Sequence, residues 1–377
     1  MIELRINGVK TSLSPIAVIR EAWEIAQATM KPYSHRNSPK KFTQHQLFAV
    51  LVLKEFYRTT YRGVWGILKD SSDLREAIEL RHTPHWTTIQ KAGDRLLGSR
   101  RIERLISETI ERAIATGKMK ARPKRIAIDT SGFEARSTSR YYAKRRKATQ
   151  KDGPKRAVSM RRFPKLGLAV DCESHFIVAA VAGQGPTPDF AYFEPLLLGS
   201  LKRIWPTTVL ADAGFSSEAN HEMARDDLGI QSLMPSTNGR PTDKEPSGYY
   251  RCMMKRFLHL SNYGQRWQVE TGYSMIKRRL GEVVAAMTYH RRRKLLLLKS
   301  ITLNLMLLDR HILFYRACPT PFSDPNLGHW FPRHLRCPKE IDGQNVITAI
   351  CSGRPVDELL QVADLSPPLT VAIGLDS

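Results

Sequence analysis

The spacing of apolar residues changes near residue 122, and this change limits the fold more than any other feature of the sequence. Before it, apolar residues recur every three or four positions, as they do on one face of a helix. After it, apolar runs are short and rich in β-branched residues, as at 125–129, 167–170 and 175–181. The pattern predicts a helical region of about 120 residues followed by a domain that contains a sheet.

Capping signals divide the helical region into several short helices. A serine followed by proline stands at 14–15, a capping-box pattern at 43–46, and a glycine after the last apolar turn at 117. A further helix is expected from Thr83-Pro84 towards Leu97. Such helices in a basic protein are typical of a helix-turn-helix DNA-binding module, although a helical scaffold or dimerisation domain has the same periodicity. We predict a helical DNA-binding domain over residues 1–120.

The second region alternates between strands and helices. In order, the pattern predicts a strand at 125–129, a hairpin at 167–181, a helix with Asp189 as its N-cap, a strand at 208–211, a helix from Ser217, a strand at 230–234, a polar insertion at 235–262, and a helix from about Tyr263. We therefore expect an α/β fold, a mixed five-stranded sheet flanked by helices and preceded by an all-α domain. The α/β domain is expected over 121–316, and a tail or small subdomain over 317–377.

The charge balance indicates a polyanionic partner. The chain has 59 Lys and Arg against 36 Asp and Glu, a net charge of +23. This excess disfavours a neutral metabolic enzyme and favours nucleic acid first and an anionic membrane second. The membrane interpretation is weak, because the densest apolar run, 295–308, contains Lys299 and Asn304 and is shorter than the roughly 20 residues that span a bilayer.

Two further features bear on the expected compartment. The first ten residues contain no apolar segment, so no secretory signal is expected. Five cysteines without a CxxC pair indicate neither a disulfide framework nor a zinc site. We expect a cytoplasmic protein with reduced thiols.

A dense basic segment lies between the first two predicted strands. Residues 136–165 carry many cations with few opposing acids, among them Lys144, Arg145, Arg146, Lys147, Arg161 and Arg162. Such density repels itself unless a polyanion neutralises it, so we predict a mobile arm that becomes ordered on DNA. A solvated loop is the alternative. The run 291–294 (RRRK) is a second candidate for phosphate contact.

Three acids are placed where carboxylates can converge. Asp129 is expected at the end of the first strand, Asp212 at the end of the fourth, and Glu270 on the helix after the insertion. Neighbouring strand ends and a facing helix can bring such groups together, and their hard oxygen atoms suit Mg²⁺. Two ions about 4 Å apart can activate a water or a 3′-hydroxyl and stabilise the leaving oxygen of a phosphodiester. The alternative is that these acids are ordinary caps and turn residues.

The helix around Glu270 carries cations beside this acid. Tyr263, Arg266, Glu270 and Lys277 are spaced by 3, 4 and 7 residues, and at about 100° per residue they fall within an arc of roughly 60°. Arg can bind a phosphate through two hydrogen bonds, and Lys can act as a point charge. A solvated face with an Arg266–Glu270 pair is the alternative. Trp267 could stack a base, but we expect it in the core because it points away from this stripe.

These residues resemble a known family. The pattern Y-x₂-R-x₃-E-x₆-K, met in full by the stripe, resembles the signature of bacterial and archaeal insertion-sequence DDE transposases. Asp129 in IAIDTSG and Asp212 in VLADAGFSS resemble the first and second aspartates of that family, which lie on the first and fourth strands of an RNase H-like fold. The apolar helix that contains Asn304 is also similar, so the resemblance extends over about residues 122–315.

The resemblance implies a mechanism and a set of partners. Asp129, Asp212 and Glu270 would hold two Mg²⁺ ions, with Mn²⁺ as a substitute, and Asp129 would bridge them. Tyr263, Arg266 and Lys277 would contact phosphates near the transposon end. The implied partners are double-stranded DNA, at transposon ends and target, and a second copy of the chain once DNA is bound.

The implied activity is cleavage of DNA at the ends of an insertion sequence, followed by joining of the freed 3′-hydroxyl to target DNA. A prokaryotic, nucleoid-associated location in the cytoplasm would follow. The short insertion at 235–262 disfavours a hairpin intermediate. The alternatives are a non-catalytic, transposase-derived DNA-binding protein and an RNase H-like nuclease without strand transfer.

Overall fold

The computed structural model describes residues 11–135, 163–236, 245–309, 350–352 and 374–376. The chain divides into two units, of which the larger is Val9–Arg310. In the other unit, the described residues form two parallel strands, β8 (Ile350–Ser352) and β9 (Gly374–Asp376). The cations predicted to form a basic arm, from Lys144 to Arg162, lie outside the described residues.

The first part of the larger unit is helical, as predicted. Its helices are α1 (Pro15–Thr29), α2 (Gln44–Phe56), α3 (Tyr61–Asp70), α4 (Ser72–Glu76), α5 (Trp86–Leu96) and α6 (Ser99–Ala115). The Ser14 hydroxyl accepts a hydrogen bond from the Ala17 N–H, and Thr43 with Gln46 forms the capping box before α2. Gly117 follows α6 with a φ of +67°, the left-handed conformation that glycine adopts at least cost.

Two features of the helical region differ from the prediction. Helix α5 begins at Trp86 instead of near Thr83, because the imidazole of His85 accepts from the Thr87 N–H and acts as the N-cap. The short helices α3 and α4 were not expected. Helix α3 begins after Thr60, whose hydroxyl accepts from the Gly63 N–H at 3.1 Å.

The second part contains the predicted mixed five-stranded sheet. Its strands are β1 (Arg125–Gly132), β3 (Phe163–Asp171), β4 (Ile177–Gly185), β5 (Thr208–Ala211) and β6 (Gln231–Leu233). They lie in the order β4-β3-β1-β5-β6, with β3 antiparallel to both neighbours and β1, β5 and β6 parallel. A mixed five-stranded sheet that is flanked by helices and preceded by a helical region confirms the predicted α/β fold class. Strands β2 (Glu134–Ala135) and β7 (Val283–Val284) form a separate parallel pair.

Helices pack around this sheet and connect it to the first region. They are α7 (Phe193–Leu201), α8 (Glu218–Glu222), α9 (Tyr249–Phe257), α10 (Trp267–Leu280) and α11 (Tyr289–Leu308). Helix α11 packs against β4 and against α6, α2 and α1. Its buried Asn304 accepts from the N–H of Ile177 and donates to the carbonyl of the same residue, both at 2.9 Å, and also donates to Thr109. The helical region and the sheet therefore share a core, and the boundary at residue 120 stays a prediction.

Several element boundaries differ from those expected. The turn at Asp189–Tyr192 is a 3₁₀ helix, and the α-helix begins only at Phe193. Strand β4 begins at Ile177, because His175 has a φ of +65° and belongs to the turn. The insertion contains the helix α9, and Tyr263–Arg266 is a 3₁₀ helix that precedes α10. In the described parts of the chain, no helix is long and apolar enough to cross a membrane.

A buried histidine between α8 and β6 makes the stability of the fold depend on pH. His221 is fully buried, its Nδ1 lies 2.7 Å from the Ser232 hydroxyl, and its Nε2 has no hydrogen-bond partner among the described residues. Burial, with a contribution from Arg225, lowers its pKa to about 4 from an ordinary 6.5. Because the fold favours the neutral ring, the stabilisation is complete above pH 6.5 and is lost as the pH falls towards 4.

We expect the free energy of unfolding to fall by up to about 3 kcal/mol over this pH range through His221. Urea denaturation at closely spaced pH values measures the loss. The variant His221→Gln, which cannot titrate, should be less stable at pH 7 and should have a shallower pH dependence. An equal pH dependence in both proteins would contradict the prediction.

Candidate functional site

Strands β1 and β5 bring two of the three predicted acids side by side. Their parallel pairing ends with Ile128 opposite Ala211. The next residue on β1 is Asp129, and the next residue after β5 is Asp212. Adjacent strands lie about 4.8 Å apart, so these two carboxylates are neighbours at one edge of the sheet.

Strand β1 does not end at Asp129 as predicted. It continues to Gly132, because β3 goes on pairing with it from Leu168, opposite Asp129, to Lys165, opposite Gly132. Asp129 is thus paired with β3 on one side, whereas β5 on the other side has already ended. This position opens its side chain towards the loop after Asp212.

The two carboxylates are held by backbone groups. Asp129 Oδ1 accepts from the Thr130 N–H at 2.7 Å, and Asp212 Oδ1 accepts from the Ala213 N–H at the same distance. Burial raises the pKa of Asp129 to about 6; the Thr130 N–H and Arg266 oppose this rise, and Asp212 adds to it. The Asp129 carboxylate is therefore an anion that a nearby positive charge would stabilise.

Arg266 interacts with Glu270 and with both of these aspartates. Its guanidinium is 2.5 Å from Glu270 Oε1 and also interacts electrostatically with Asp129 and Asp212. Glu270 is in the first turn of α10, and its side chain is 55% exposed, so it is free to change partners. All three predicted acids therefore interact with the same cation, Glu270 by direct contact and the two aspartates electrostatically.

The other two residues of the predicted stripe are occupied by protein contacts. The hydroxyl of Tyr263 donates to the carbonyl of Ala211, the residue before Asp212, at 3.2 Å, and burial raises its pKa to about 12. Lys277 is farther along α10, where its ammonium is 2.9 Å from Glu282 and 5.4 Å from the centroid of the Phe133 ring. Tyr263 therefore lies at the acids, whereas the described contacts of Lys277 are elsewhere.

A buried tyrosine attaches α10 to the sheet. The hydroxyl of Tyr273 lies 2.8 Å from the carbonyl oxygens of both Asp129 and Leu166 and shares its one hydrogen between them. Tyr273 is one turn after Glu270, so this contact fixes the helix that carries Glu270 directly against the backbone of Asp129.

Sequence comparison assigns a family to the part of the chain that contains these residues. Residues 120–305 match the family model described as the transposase DDE domain. This segment is a transposase DDE domain. It includes β1, β5 and α10, and with them the three acids and the complete stripe. The predicted family resemblance is therefore confirmed for this part of the chain.

The chain also resembles solved structures of a transposase, at low sequence identity. The chain is similar to a paired-end complex of Mos1 transposase with the left transposon end, with 13% identity, coverage of 69% of this chain and 71% of that chain, and a TM-score of 0.22. It is also similar to a Mos1 mariner paired-end complex with Mn, with 13% identity, coverage of 69% and 84%, and a TM-score of 0.19. No curated protein sequence matches this chain.

Asp129, Asp212 and Glu270 are the type of ligand that a divalent cation prefers, although they do not form a cluster in this structure. Three carboxylates supply the hard oxygen atoms that such a cation prefers. In the described ranges, however, no three His, Cys, Asp or Glu side chains form a ready-made metal group. Of the three acids, Glu270 is instead paired with Arg266. A shared ion would compete with Arg266 for the Glu270 carboxylate.

The DDE domain also contains functional candidates that sequence analysis missed. Asp189 accepts hydrogen bonds from Thr130 and Lys165 and interacts electrostatically with Asp129. Tyr273 is the second case. Its position on the apolar face of the helix, one turn from Glu270, is the only sequence signal that could have indicated it. For Asp189 no such signal exists, because its partners are distant in sequence.

Two expectations about other residues are changed by the DDE domain structure. Trp267 is 55% exposed, so the prediction that it belongs to the core is wrong, and base stacking stays a prediction. The cations at 291–294 bind protein groups: Arg291 pairs with Asp94 at 2.6 Å, Lys294 donates to the Asp94 carbonyl, and the others donate to carbonyls of β4 and of the segment after β7. Their described contacts are thus structural.

Replacing Tyr273 tests how firmly α10 is attached within the DDE domain. We expect Tyr273→Phe to lower the free energy of unfolding by about 1–2 kcal/mol, because two buried carbonyl oxygens lose a shared donor. Urea denaturation monitored by circular dichroism measures the change. Tyr249→Phe is the control, since Tyr249 is 70% exposed and its substitution should cost less than about 0.5 kcal/mol. Equal effects of the two substitutions would contradict the prediction.

Proposed function

We propose that the chain is a DNA transposase that cleaves the ends of an insertion sequence and joins the freed 3′-hydroxyl to target DNA. One observation carries the proposal. Asp129 and Asp212 directly follow the last residue pair of the parallel strands β1 and β5, and Arg266, which is paired with Glu270 of α10, interacts electrostatically with both aspartates. A segment that is a transposase DDE domain contains all four residues.

In this proposal, Asp129, Asp212 and Glu270 hold two divalent ions, Mg²⁺ or in its place Mn²⁺. When bound, the ions would activate the attacking water or 3′-hydroxyl and stabilise the leaving oxygen. Burial of Asp129 supports a ligand role, because it raises the pKa of this carboxyl group to about 6, and a nearby cation would stabilise the anionic form. Asp129 pairs with Leu168 of β3 and directly follows the last residue of β1 that pairs with β5, a position that suits the bridging role.

Arg266 is proposed to exchange partners when DNA binds. Its guanidinium now holds Glu270, and a DNA phosphate would offer the same two-oxygen acceptor with more negative charge. This exchange would release Glu270 towards the aspartates. Tyr263 would hold the 3₁₀ turn against β5 beside the phosphate, and Lys277 would supply a second positive charge by leaving Glu282.

DNA is the proposed partner of the whole chain. The net charge of +23 favours a long phosphate backbone over a small anion. The cations Lys144, Arg145, Arg146, Lys147, Arg161 and Arg162 are proposed as further phosphate contacts, and the helical region as the part that reads the end sequence. Joining of two ends would require two copies of the chain on the DNA.

An assay on the element's own ends separates the three functions. Inverted repeats that flank the gene supply the DNA, and labelled products are resolved by size in Mg²⁺ and, as a control, in EDTA. A joined product supports the transposase. Nicks without a joined product would indicate a nuclease, and binding without cleavage would indicate a non-catalytic DNA-binding protein; either result contradicts the proposal.

A further inference from the structure

A fourth acid, Asp189, lies between the two chain segments that carry the aspartates. It begins the 3₁₀ turn before α7 and belongs to neither β1 nor the loop after β5. We propose that Asp189 is a positioning residue, which fixes the Asp129 and Asp212 carboxylates relative to each other for metal binding. This inference rests on the proposed function.

Asp189 is bonded to the segment that carries Asp129. Its Oδ1 accepts from the hydroxyl of Thr130 at 2.5 Å. The N–H of Thr130 in turn donates to Asp129 Oδ1 at 2.7 Å. Thr130 therefore connects the two acids: its hydroxyl binds Asp189, and its N–H orients the Asp129 side chain.

A buried lysine binds the same oxygen atom of Asp189 as Thr130 does. The ammonium of Lys165, on β3, is 2.5 Å from Asp189 Oδ1 and 2.6 Å from the Thr187 carbonyl oxygen. It also lies 5.2 Å from the centroid of the Tyr192 ring, and Lys165 is only 8% exposed. A buried cation with these partners needs an anion, so Asp189 and Lys165 hold each other in place. The pair ties the turn before α7 to the edge of β3.

Asp189 also lies against the loop that follows Asp212. Gly214 is two residues after Asp212, and a Cβ atom added there would lie 3.1 Å from Asp189 Oδ2. A side chain at residue 214 would therefore crowd the Asp189 carboxylate, and glycine avoids this contact. One carboxylate thus contacts the neighbours of both aspartates, with Oδ1 towards β1 and Oδ2 towards the loop.

The charge of Asp189 has a second effect on the same site. It is one of the two acids that interact unfavourably with the Asp129 carboxylate, the other being Asp212. Its Oδ1 already accepts hydrogen bonds from Thr130 and Lys165. Asp189 is therefore better suited to orienting the two aspartates than to binding the metal ion itself. Residues that orient metal ligands typically change metal affinity or activity by about 10-fold to 100-fold when replaced.

The test measures Mn²⁺ binding as well as cleavage. Full-length Asp189→Ala, bound to end DNA, should bind Mn²⁺ about 10-fold to 100-fold more weakly by electron paramagnetic resonance and should cleave more slowly by a similar factor. Its affinity for end DNA should stay within about twofold, because Asp189 is not a proposed DNA contact. Glu194→Gln, an exposed acid on the first turn of α7, is the matched control and should leave both properties unchanged.

A milder variant covers the case in which Asp189→Ala does not fold. Thr130→Val keeps the shape of the side chain and removes only the hydroxyl that reaches Asp189, so it should weaken Mn²⁺ binding in the same direction by a smaller factor. Unchanged Mn²⁺ affinity in both folded variants, or in Thr130→Val alone if only that variant folds, would overturn the inference while leaving the proposed function intact. Failure of the wild-type protein to cleave or join its ends would instead refute the proposed function, and the Mn²⁺ measurement would still decide the role of Asp189.

Discussion

Glu270→Gln is expected to lower strand joining by about 10³-fold or more while binding to transposon ends stays measurable. Glutamine keeps the length of the side chain and can still accept a hydrogen bond from Arg266, so the local fold should persist. What it loses is the negative charge, and with it the ability to complete a divalent metal site with Asp129 and Asp212. A single-turnover joining assay with pre-cleaved ends in Mg²⁺ measures the loss directly.

The control for Glu270→Gln is another exposed glutamate in an ion pair. Glu173 lies 2.7 Å from Lys120, and its side chain is 49% exposed, close to the 55% of Glu270. Glu173→Gln should leave joining within about twofold of wild type, because surface pairs of this kind contribute little. Undiminished joining by Glu270→Gln in Mg²⁺ would remove the proposed role of this residue and, with it, the three-acid mechanism.

The second large effect concerns salt. With a net charge of +23, the chain should lose about 10³-fold to 10⁵-fold in affinity for end DNA between 50 and 200 mM salt, as for proteins that contact 6–10 phosphates. Each phosphate contact releases condensed counterions, so the logarithm of the affinity should fall linearly with the logarithm of the salt concentration. Fluorescence anisotropy of a labelled end duplex gives the slope.

Alanine substitutions in the basic segment, residues 136–165, test how much that segment contributes to the salt dependence of DNA affinity. Replacement of Lys144, Arg145, Arg146 and Lys147 by alanine should reduce the slope by up to about 0.9 for each cation that contacts phosphate. Lys202→Ala, which removes an exposed cation after α7, should not change it. A flat salt response of the wild-type protein would mean that the basic segment does not touch phosphate.

The parts of the fold that depend on local signals could be predicted from sequence. Ser14 and Thr43 cap α1 and α2 through contacts within three residues, so their sequence patterns were sufficient. The two aspartates could be placed because each follows a short apolar run that forms a parallel strand. Helix α5 was misplaced at its start because His85, an unusual N-cap, replaces the expected Thr83.

The helix that carries Glu270 shows where the sequence argument failed. The predicted stripe assumed an α-helix from Tyr263 onwards, whereas Tyr263–Arg266 is a tighter 3₁₀ helix and α10 begins at Trp267. The buried face of α10 is formed by Val269, Tyr273, Ile276 and Leu280. Trp267, two positions before this face, is turned about 200° from it and is therefore exposed.

Contacts between distant segments could not be predicted at all. Asp189 meets Thr130 across 59 residues, and Tyr273 meets the carbonyl of Asp129 across 144. No periodicity or spacing encodes such pairs, because they exist only once the sheet has brought β1, β3 and the turn before α7 together. The pairing of Glu270 with Arg266 was foreseen as an alternative, but the absence of a ready metal cluster among the described residues was not.

Helix α11 has a consequence for any attempt to divide this protein. One side of it meets β4 through Asn304, and the other meets the helices before residue 120. A fragment that starts near residue 120 would present that second side to water, and a fragment that stops there would lose its main packing partner. Dissection by truncation would therefore report on damaged cores, so the separate contributions of end recognition and chemistry are better measured with point variants in the intact chain.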